Sequence, residues 1–171
     1  DVATGRKLAE FDAPAKPDGK PGTWGYLAVE GDTVYGSVVD DRHLVKHAYR
    51  ASDMSELFTE SLVFFALDAE KGKSKWTYTA KHAIRHNAVA VGGGRVYLID
   101  RPLAAMDKPN GKKDDPHPPG EMLALDAATG KEQWRVKDVY GTTLSLSVPN
   151  KALLMSYQST RFKLPSEVGG R

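Results

Sequence analysis

Ala66-Leu67-Asp68-Ala69-Glu70-Lys71-Gly72-Lys73-Ser74-Lys75-Trp76 and Ala124-Leu125-Asp126-Ala127-Ala128-Thr129-Gly130-Lys131-Glu132-Gln133-Trp134 are two copies of one phrase, with Ala, Asp, Gly and Trp at the same four places. A weaker copy, Asp1-Val2-Ala3-Thr4-Gly5-Arg6-Lys7-Leu8-Ala9, keeps the interval from Asp to Gly and has Ala9 where Trp is due. Each phrase reads as a strand, a tight turn and a second strand. The Asp side chain caps nearby backbone N–H groups, the Gly tolerates positive φ, and apolar β-prone residues flank them.

A second phrase follows each copy. Tyr26–Gly36, Asn87–Leu98 and Leu144–Met155 are each a short apolar strand, a Gly/Asp/Asn/Pro turn and another short strand, which is a hairpin signature. The repeating unit is therefore four short antiparallel strands, A to D, with the Asp…Gly turn joining C to D. Four-stranded units in tandem form the blades of a β-propeller: one blade cannot bury both of its faces, and radial stacking buries them. The chain reads D; A, B, C, D; A, B, C, D; A, B. The expected all-β fold is a partial propeller with units at residues 1–23 (partial), 24–80, 84–138 and 142–171 (partial). Because Asp1 opens in mid-motif, the chain reads as a segment of a larger protein.

The period is long. Gly5 to Gly72 is 67 residues and Gly72 to Gly130 is 58, against roughly 40–50 for propeller repeats. The excess falls at Asp40–Glu60 and Arg101–Gly120, both between strands B and C. The first, with Ser52 or Asp53 as N-cap and Glu56 following, predicts a short helix. The second, rich in Pro, Gly, Lys and Asp, predicts an open loop. In an up-and-down blade the B–C and D–A connections share one end of the propeller. Both insertions therefore decorate one face, together with the long D–A connection Asp12–Thr23, and such a face is where function tends to sit.

Composition narrows the classes. A net charge of +2 without a Lys/Arg-rich run argues against nucleic acid, and no apolar stretch approaches the length of a membrane span. With no cysteine there is neither a disulfide nor a thiolate metal site.

The phrase Ala-x-Asp-x-x-x-Gly-x-x-x-Trp resembles the tryptophan-docking motif of the pyrroloquinoline quinone (PQQ) repeat propellers, and the resemblance covers nearly the whole chain. It implies a structural role for Ala66, Asp68, Gly72 and Trp76, and for Ala124, Asp126, Gly130 and Trp134, with each Trp packed beneath the motif of the neighbouring blade. At the first interface Leu8 or Phe11 would stand in for the missing Trp. The family includes PQQ- and Ca²⁺-dependent alcohol and sugar dehydrogenases. It also includes cofactor-free members such as the propeller lipoprotein of the outer-membrane assembly machinery. The dehydrogenases often carry a vicinal disulfide, which this chain lacks, and no stretch matches their cofactor or calcium sites residue by residue. An extracytoplasmic location, periplasmic or cell-envelope, is implied by the resemblance alone.

The candidate ligand-binding residues lie on the elaborated face. Arg85, His86 and Asn87 open the A strand of the second unit, nearest the propeller axis, and suit a carboxylate, phosphate or quinone oxygen. Asp100 and Arg101 end a B strand, as Asp40, Asp41 and Arg42 do. Trp24 precedes an A strand and offers a stacking surface. The alternative for each is structural: ion pairs that order the insertions, and blade packing for Trp24. An oxygen-ligand Ca²⁺ site from Asp40, Asp41 and Asp100 lacks the spacing of a calcium loop. The pairs His43/His47 and His82/His86, with His117, map to the same face without the Glu of a zinc-hydrolase helix. Gly92-Gly93-Gly94 lies in an A–B turn and is no phosphate cradle.

The favoured reading is a non-catalytic binding or scaffolding domain without cofactor. Its partners are the rest of the parent propeller, and proteins or a small ligand at the elaborated face. The alternative is part of a quinoprotein dehydrogenase, with Arg85, His86 and Asn87 touching PQQ beside Ca²⁺.

Overall fold

The computed structural model describes residues 1–41, 44–50, 53–58, 60–102 and 119–156, the segments 44–50 and 53–58 by their backbone alone. All regular structure among these residues is β. Strands β1 (Trp24–Glu30), β2 (Thr33–Val39), β3 (Leu44–Arg50), β4 (Asp53–Phe58), β5 (Glu60–Asp68) and β6 (Ser74–Gly92) are followed by β7 (Arg95–Arg101), β8 (Gly120–Asp126), β9 (Glu132–Val139), β10 (Thr143–Ser147) and β11 (Ala152–Ser156). One seven-stranded antiparallel sheet runs in the order β1-β2-β5-β6-β7-β8-β9. It holds two propeller blades. β1, β2, β5 and the first part of β6 are strands A to D of the first; the rest of β6, β7, β8 and β9 are those of the second. The hairpin β10–β11 supplies A and B of a third.

The two blades share a strand instead of being separated by a loop. β6 runs 19 residues without a break. Its first part pairs with β5 from Ala66↔Trp76 to Val63↔Thr79, and Ser61↔Ile84 and Glu60↔Arg85 follow after a register shift. Its second part pairs with β7, first at Ala83↔Arg101 and Ile84↔Asp100 and then, past another shift, from Val89↔Leu98. The slipped residues mark the crossing between blades.

The helix expected within Asp40–Glu60 is a β-hairpin instead. β3 and β4 pair antiparallel from Leu44↔Phe58 to Arg50↔Asp53 as a separate two-stranded sheet. The physical reason is the anchoring. The insertion leaves from β2 and returns to β5, which are antiparallel neighbours, and a hairpin brings its two ends back side by side whereas a single short helix carries them apart. A helix of about six residues also gains little in isolation. Residues 103–118, which contain most of the expected open loop and His117, lie outside the described residues, as does His43.

Residues 1–23 contain no strand. The D strand expected at the start of the chain has no neighbouring strand to pair with among the described residues. The turn of that copy is nevertheless complete. The Asp1 carboxylate accepts from the N–H groups of Ala3 and Thr4, Gly5 N–H donates to the Asp1 carbonyl at 2.8 Å, and the Asp1 amino group donates to the Arg6 carbonyl at 2.7 Å. Asp68 and Asp126 make the same set: two backbone N–H groups on each carboxylate, a bond from Gly72 or Gly130 N–H to the Asp carbonyl, and a bond from the Asp N–H to the carbonyl of Lys73 or Lys131. All three glycines have φ of 65–70°, the left-handed region that glycine enters without strain.

Three apolar layers follow from strand alternation. Phe64 and Ala66 of β5 point into a layer between the two blades, with Tyr35, Trp76, Ile84, Leu98 and Leu123. Phe65 and Leu67 point the other way and are covered by Phe11, Ala13 and Trp24. A third layer, around Ala88, Ile99 and Leu144, lies between the second blade and the third. Because β5 is buried on both faces, its sequence is a continuous apolar run.

The tryptophans differ. Trp76 is 8% exposed, its indole N–H donates to the Ala127 carbonyl at 2.9 Å, and a Cβ added at Gly130 would sit 2.6 Å from its ring. Trp134 is 37% exposed, because the C–D turn it would meet belongs to the third blade, whose described residues stop at β11. At Gly72 the contact is made by Phe11, whose ring lies 2.3 Å from the Cβ position.

Trp76→Ala is expected to cost about 3–5 kcal/mol in denaturant unfolding, as for a buried aromatic truncation. Gly130→Ala should destabilise clearly more than Gly5→Ala. Both impose the same backbone strain, but only residue 130 meets the indole. Equal losses would contradict the packing role.

Candidate functional site

The elaborated end of the sheet is held by buried polar groups. Asp100, at the end of β7, is 1% exposed. Its carboxylate accepts from Tyr78 Oη at 3.0 Å and from the backbone N–H groups of Lys81 and His82 at 2.6 and 2.9 Å. The β6 register is slipped there, and Asp100 supplies acceptors to these part-buried backbone donors in place of the missing ladder bonds. Burial and the neighbouring Asp100 carboxylate hold the Tyr78 phenol well above its ordinary pKa. Arg101 is fully buried against Gly120, where a Cβ would come within 2.5 Å of the Arg101 Cβ.

Glu60 starts β5, is 1% exposed and accepts from Arg85 Nε at 3.0 Å. A buried pair of this kind is costly to break by removing one partner, on the order of 3–5 kcal/mol. His86, half-buried, places Nε2 2.8 Å from Ser61 Oγ. Ser61 Oγ is 2.8 Å from Ser37 Oγ, which accepts from the Tyr26 N–H at 2.8 Å. This chain ties the start of the second blade to three strands of the first. Gly25 makes room for it: a Cβ there would meet His86 Nε2 at 2.6 Å and both serine hydroxyls at 2.8 Å. Burial lowers the His86 pKa, and a hydrogen bond to the Glu60 backbone partly opposes that.

Asn87 is exposed, and its Nδ2 donates to Thr143 Oγ1 of the third blade at 3.3 Å. Trp24 donates from Nε1 to the Phe11 carbonyl at 3.2 Å and packs edge-on against Phe65 at 5.0 Å. Thus Arg85, His86, Asp100 and Trp24 all have partners inside the chain, and Asn87 is the exposed member of the candidate set. The sequence reading missed the partners. In the sequence Glu60 only bounds an insertion, and Ser37, Ser61 and Tyr78 carry no functional expectation. A serine or glutamate inside an otherwise apolar strand was the available signal, since buried polar groups need partners.

A groove of about 470 Å³ opens beside this end, lined by Lys16, Asp18, Lys20, Asp41, Lys81 and His82 among others. It is internally neutralised: Lys16 pairs with Asp41 at 2.7 Å and Lys20 with Asp18 at 3.1 Å. Each lysine holds its aspartate below the usual carboxylate range.

Chemically, a serine beside a histidine is how an activated nucleophile begins. Ser61 is fully buried, so no substrate carbonyl reaches it. Among the described residues no three His, Asp or Glu side chains converge, whereas Ca²⁺ takes about six to eight oxygens, and Arg85 is engaged by Glu60.

Residues 1–160 match the family model described as outer membrane protein assembly factor BamB. No curated protein matches the chain. Among solved structures, the quinohemoprotein alcohol dehydrogenase ADHIIG from Pseudomonas putida HK5 is similar at 22% identity and a TM-score of 0.38, covering 65% of this chain and 12% of that one. The chain thus spans a small part of that enzyme's length.

The lowered His86 pKa has a definite sign. Between its folded value and the ordinary value of 6.5, the unfolded chain binds a proton that the native state does not. Stability should therefore fall as pH drops below about 6.5, and His86→Asn should flatten that dependence between pH 7.5 and 5. An unchanged slope in the variant would show that His86 is not the titrating group.

Proposed function

The chain belongs to the BamB-like outer membrane protein assembly factor family of PQQ-repeat propellers, and we propose that it serves as a non-catalytic binding and scaffolding domain of a larger protein. Its contact face is the end carrying the Asp12–Thr23 connection, the β3–β4 hairpin, Arg85–Asn87 and residues 101–120. The observation that carries this reading is the commitment of the polar side chains there. The Glu60–Arg85 pair, the three bonds to Asp100 and the Ser37–Ser61–His86 chain fix the ends of strands, which gives a scaffold its rigidity. The family supports an extracytoplasmic location and proteins as partners. The phrase built on Ala66, Asp68, Gly72 and Trp76, and its copy at Ala124, Asp126, Gly130 and Trp134, acts as the dock between blades. Trp76 seated at Gly130 is the described example.

The test is spectroscopic. The full chain mixed with PQQ and Ca²⁺ is expected to show no bound-quinone band and no dye-linked oxidation of alcohols or sugars. A saturable band with turnover, lost in Arg85→Ala, would overturn the scaffold reading in favour of a quinoprotein dehydrogenase.

A further inference from the structure

Neighbouring strands slip at one level of the sheet. The β1–β2 register shifts between Trp24 and Leu27, β2–β5 between Val38 and Val39, β5–β6 between Ser61 and Val63, and β6–β7 between Ile84 and Val89. A slip disrupts the ladder and leaves backbone groups unpaired. Side chains fill this line. Tyr26 N–H donates to Ser37 Oγ, Ser37 Oγ is 2.8 Å from Ser61 Oγ, and Ser61 Oγ is 2.8 Å from His86 Nε2. Gly25 brings the β1 backbone against the same three polar atoms. One hydrogen-bond chain thus runs from β1 through β2 and β5 to β6. Just beyond it, Val39 N–H donates to the Thr23 carbonyl and Asp40 N–H to the Glu60 carbonyl.

The chain has a direction. Ser37 and Ser61 are fully buried. Tyr26 N–H takes one lone pair of Ser37 Oγ, so the Ser37 hydroxyl hydrogen goes to the acceptor beside it among the described residues, Ser61 Oγ. The Ser61 hydrogen then goes to Nε2, and the neutral imidazole carries its own hydrogen on Nδ1. Each hydroxyl gives one bond and takes one. A second ring hydrogen, on Nε2, reverses the order. Ser61 then accepts from the ring and donates to Ser37, and the Ser37 hydrogen has no acceptor left in the chain. That is a costly state for a buried hydroxyl. Burial lowers the His86 pKa from its ordinary 6.5, with the Glu60 backbone partly opposing.

We propose that His86 is a pH-sensitive latch: when neutral it holds the slipped line closed, and when protonated it releases β1 from the crossing strand β6. Other titratable groups flank the line without joining the hydroxyl chain. Tyr26, on β1, packs its ring against Phe64. Asp40 follows β2 and is buried. Glu60 on β5 and Arg85 on β6 are bonded to each other, and His82 stands in the groove beside Lys81. Below about 6.5 the opened line binds a proton that the closed line does not, so opening grows easier as pH falls, by at most about tenfold per pH unit. The Asp12–Thr23 connection and the insertion between β2 and β5 leave from the strand ends that the latch holds. Release therefore alters the contact face proposed above; that consequence rests on the scaffold reading, and the latch itself does not.

Nuclear magnetic resonance on the full chain tests both the direction and the release. At about pH 7.5 the ring nitrogen shifts should show His86 as the Nδ1–H tautomer, and below about pH 6.5 opening should begin to ease. Amide hydrogen exchange, corrected for its intrinsic pH dependence, should show Tyr26 losing protection by roughly tenfold between about pH 6.5 and 5.5, while amides paired between β7 and β8 keep theirs. His86→Gln, whose side-chain carbonyl accepts from Ser61 at every pH, should hold the Tyr26 protection level across that range. Ser37→Ala should lower it throughout, because the acceptor is gone. An Nε2–H ring at about pH 7.5, or wild-type Tyr26 protection that does not change with pH, would overturn the proposal, and neither result needs a variant to fold. A pH-dependent loss that persists in His86→Gln would overturn it too. If the β7–β8 amides lose protection together with Tyr26, the molecule opens as a whole and the local latch fails. The PQQ and Ca²⁺ titration reports separately on the scaffold reading: a bound quinone overturns that reading and leaves the latch standing.

Discussion

The structure depends on the contact between the Trp76 indole and Gly130. A left-handed glycine closes the Asp126 turn, and the absence of a Cβ there leaves a flat backbone surface onto which a large ring can lie. The Ala127 carbonyl then takes the indole N–H, so the ring is fixed in direction as well as position. Buried tryptophans need such a partner for their N–H. The contact joins two blades whose facing surfaces are otherwise interdigitated apolar side chains, including Phe64, Leu98 and Leu123. It explains why Asp, Gly and Trp recur together. The Asp forms the turn, the Gly opens it, and the Trp belongs to the neighbour's turn and not to its own.

A different solution operates at the other end of the sheet. There β6 crosses from one blade to the next, its ladder slips, and backbone donors would be left unpaired. Asp100 takes two of them, Glu60 takes Arg85, and the serines with His86 tie the crossing to the first blade. One end is thus closed by repeated turns and apolar packing, the other by individual buried polar groups. Both long insertions are found at that end.

How much of this was legible in the sequence follows from which interactions repeat. The three Asp…Gly turns, the three hairpins and the blade register were readable because the same residues recur at fixed intervals. The hairpin β3–β4 was not. Its capping-like Asp53 and apolar residues fit a helix equally well, and what decided the matter was the spacing of β2 and β5, which is a tertiary fact. The unbroken β6 was hidden for the same reason, since Lys81 and His82 resemble a connection until Asp100 is seen to hold them. Arg85, His86 and Asp100 lie at one end of the sheet, but their partners are single residues on other strands, and no spacing rule reports those. Trp134 has the same sequence context as Trp76 and a different exposure, because burial depends on the next blade and not on the phrase itself.

The seat at Gly130 is tested most directly by a double-mutant cycle in equilibrium unfolding. If the indole lies on the glycine, Ala at 130 conflicts with the ring only while the ring is present. The account predicts that Trp76→Ala with Gly130→Ala is less destabilised than the sum of the single changes, by about 1–2 kcal/mol, as for residues in contact. Additivity within about 0.5 kcal/mol, the behaviour of independent sites, would contradict it.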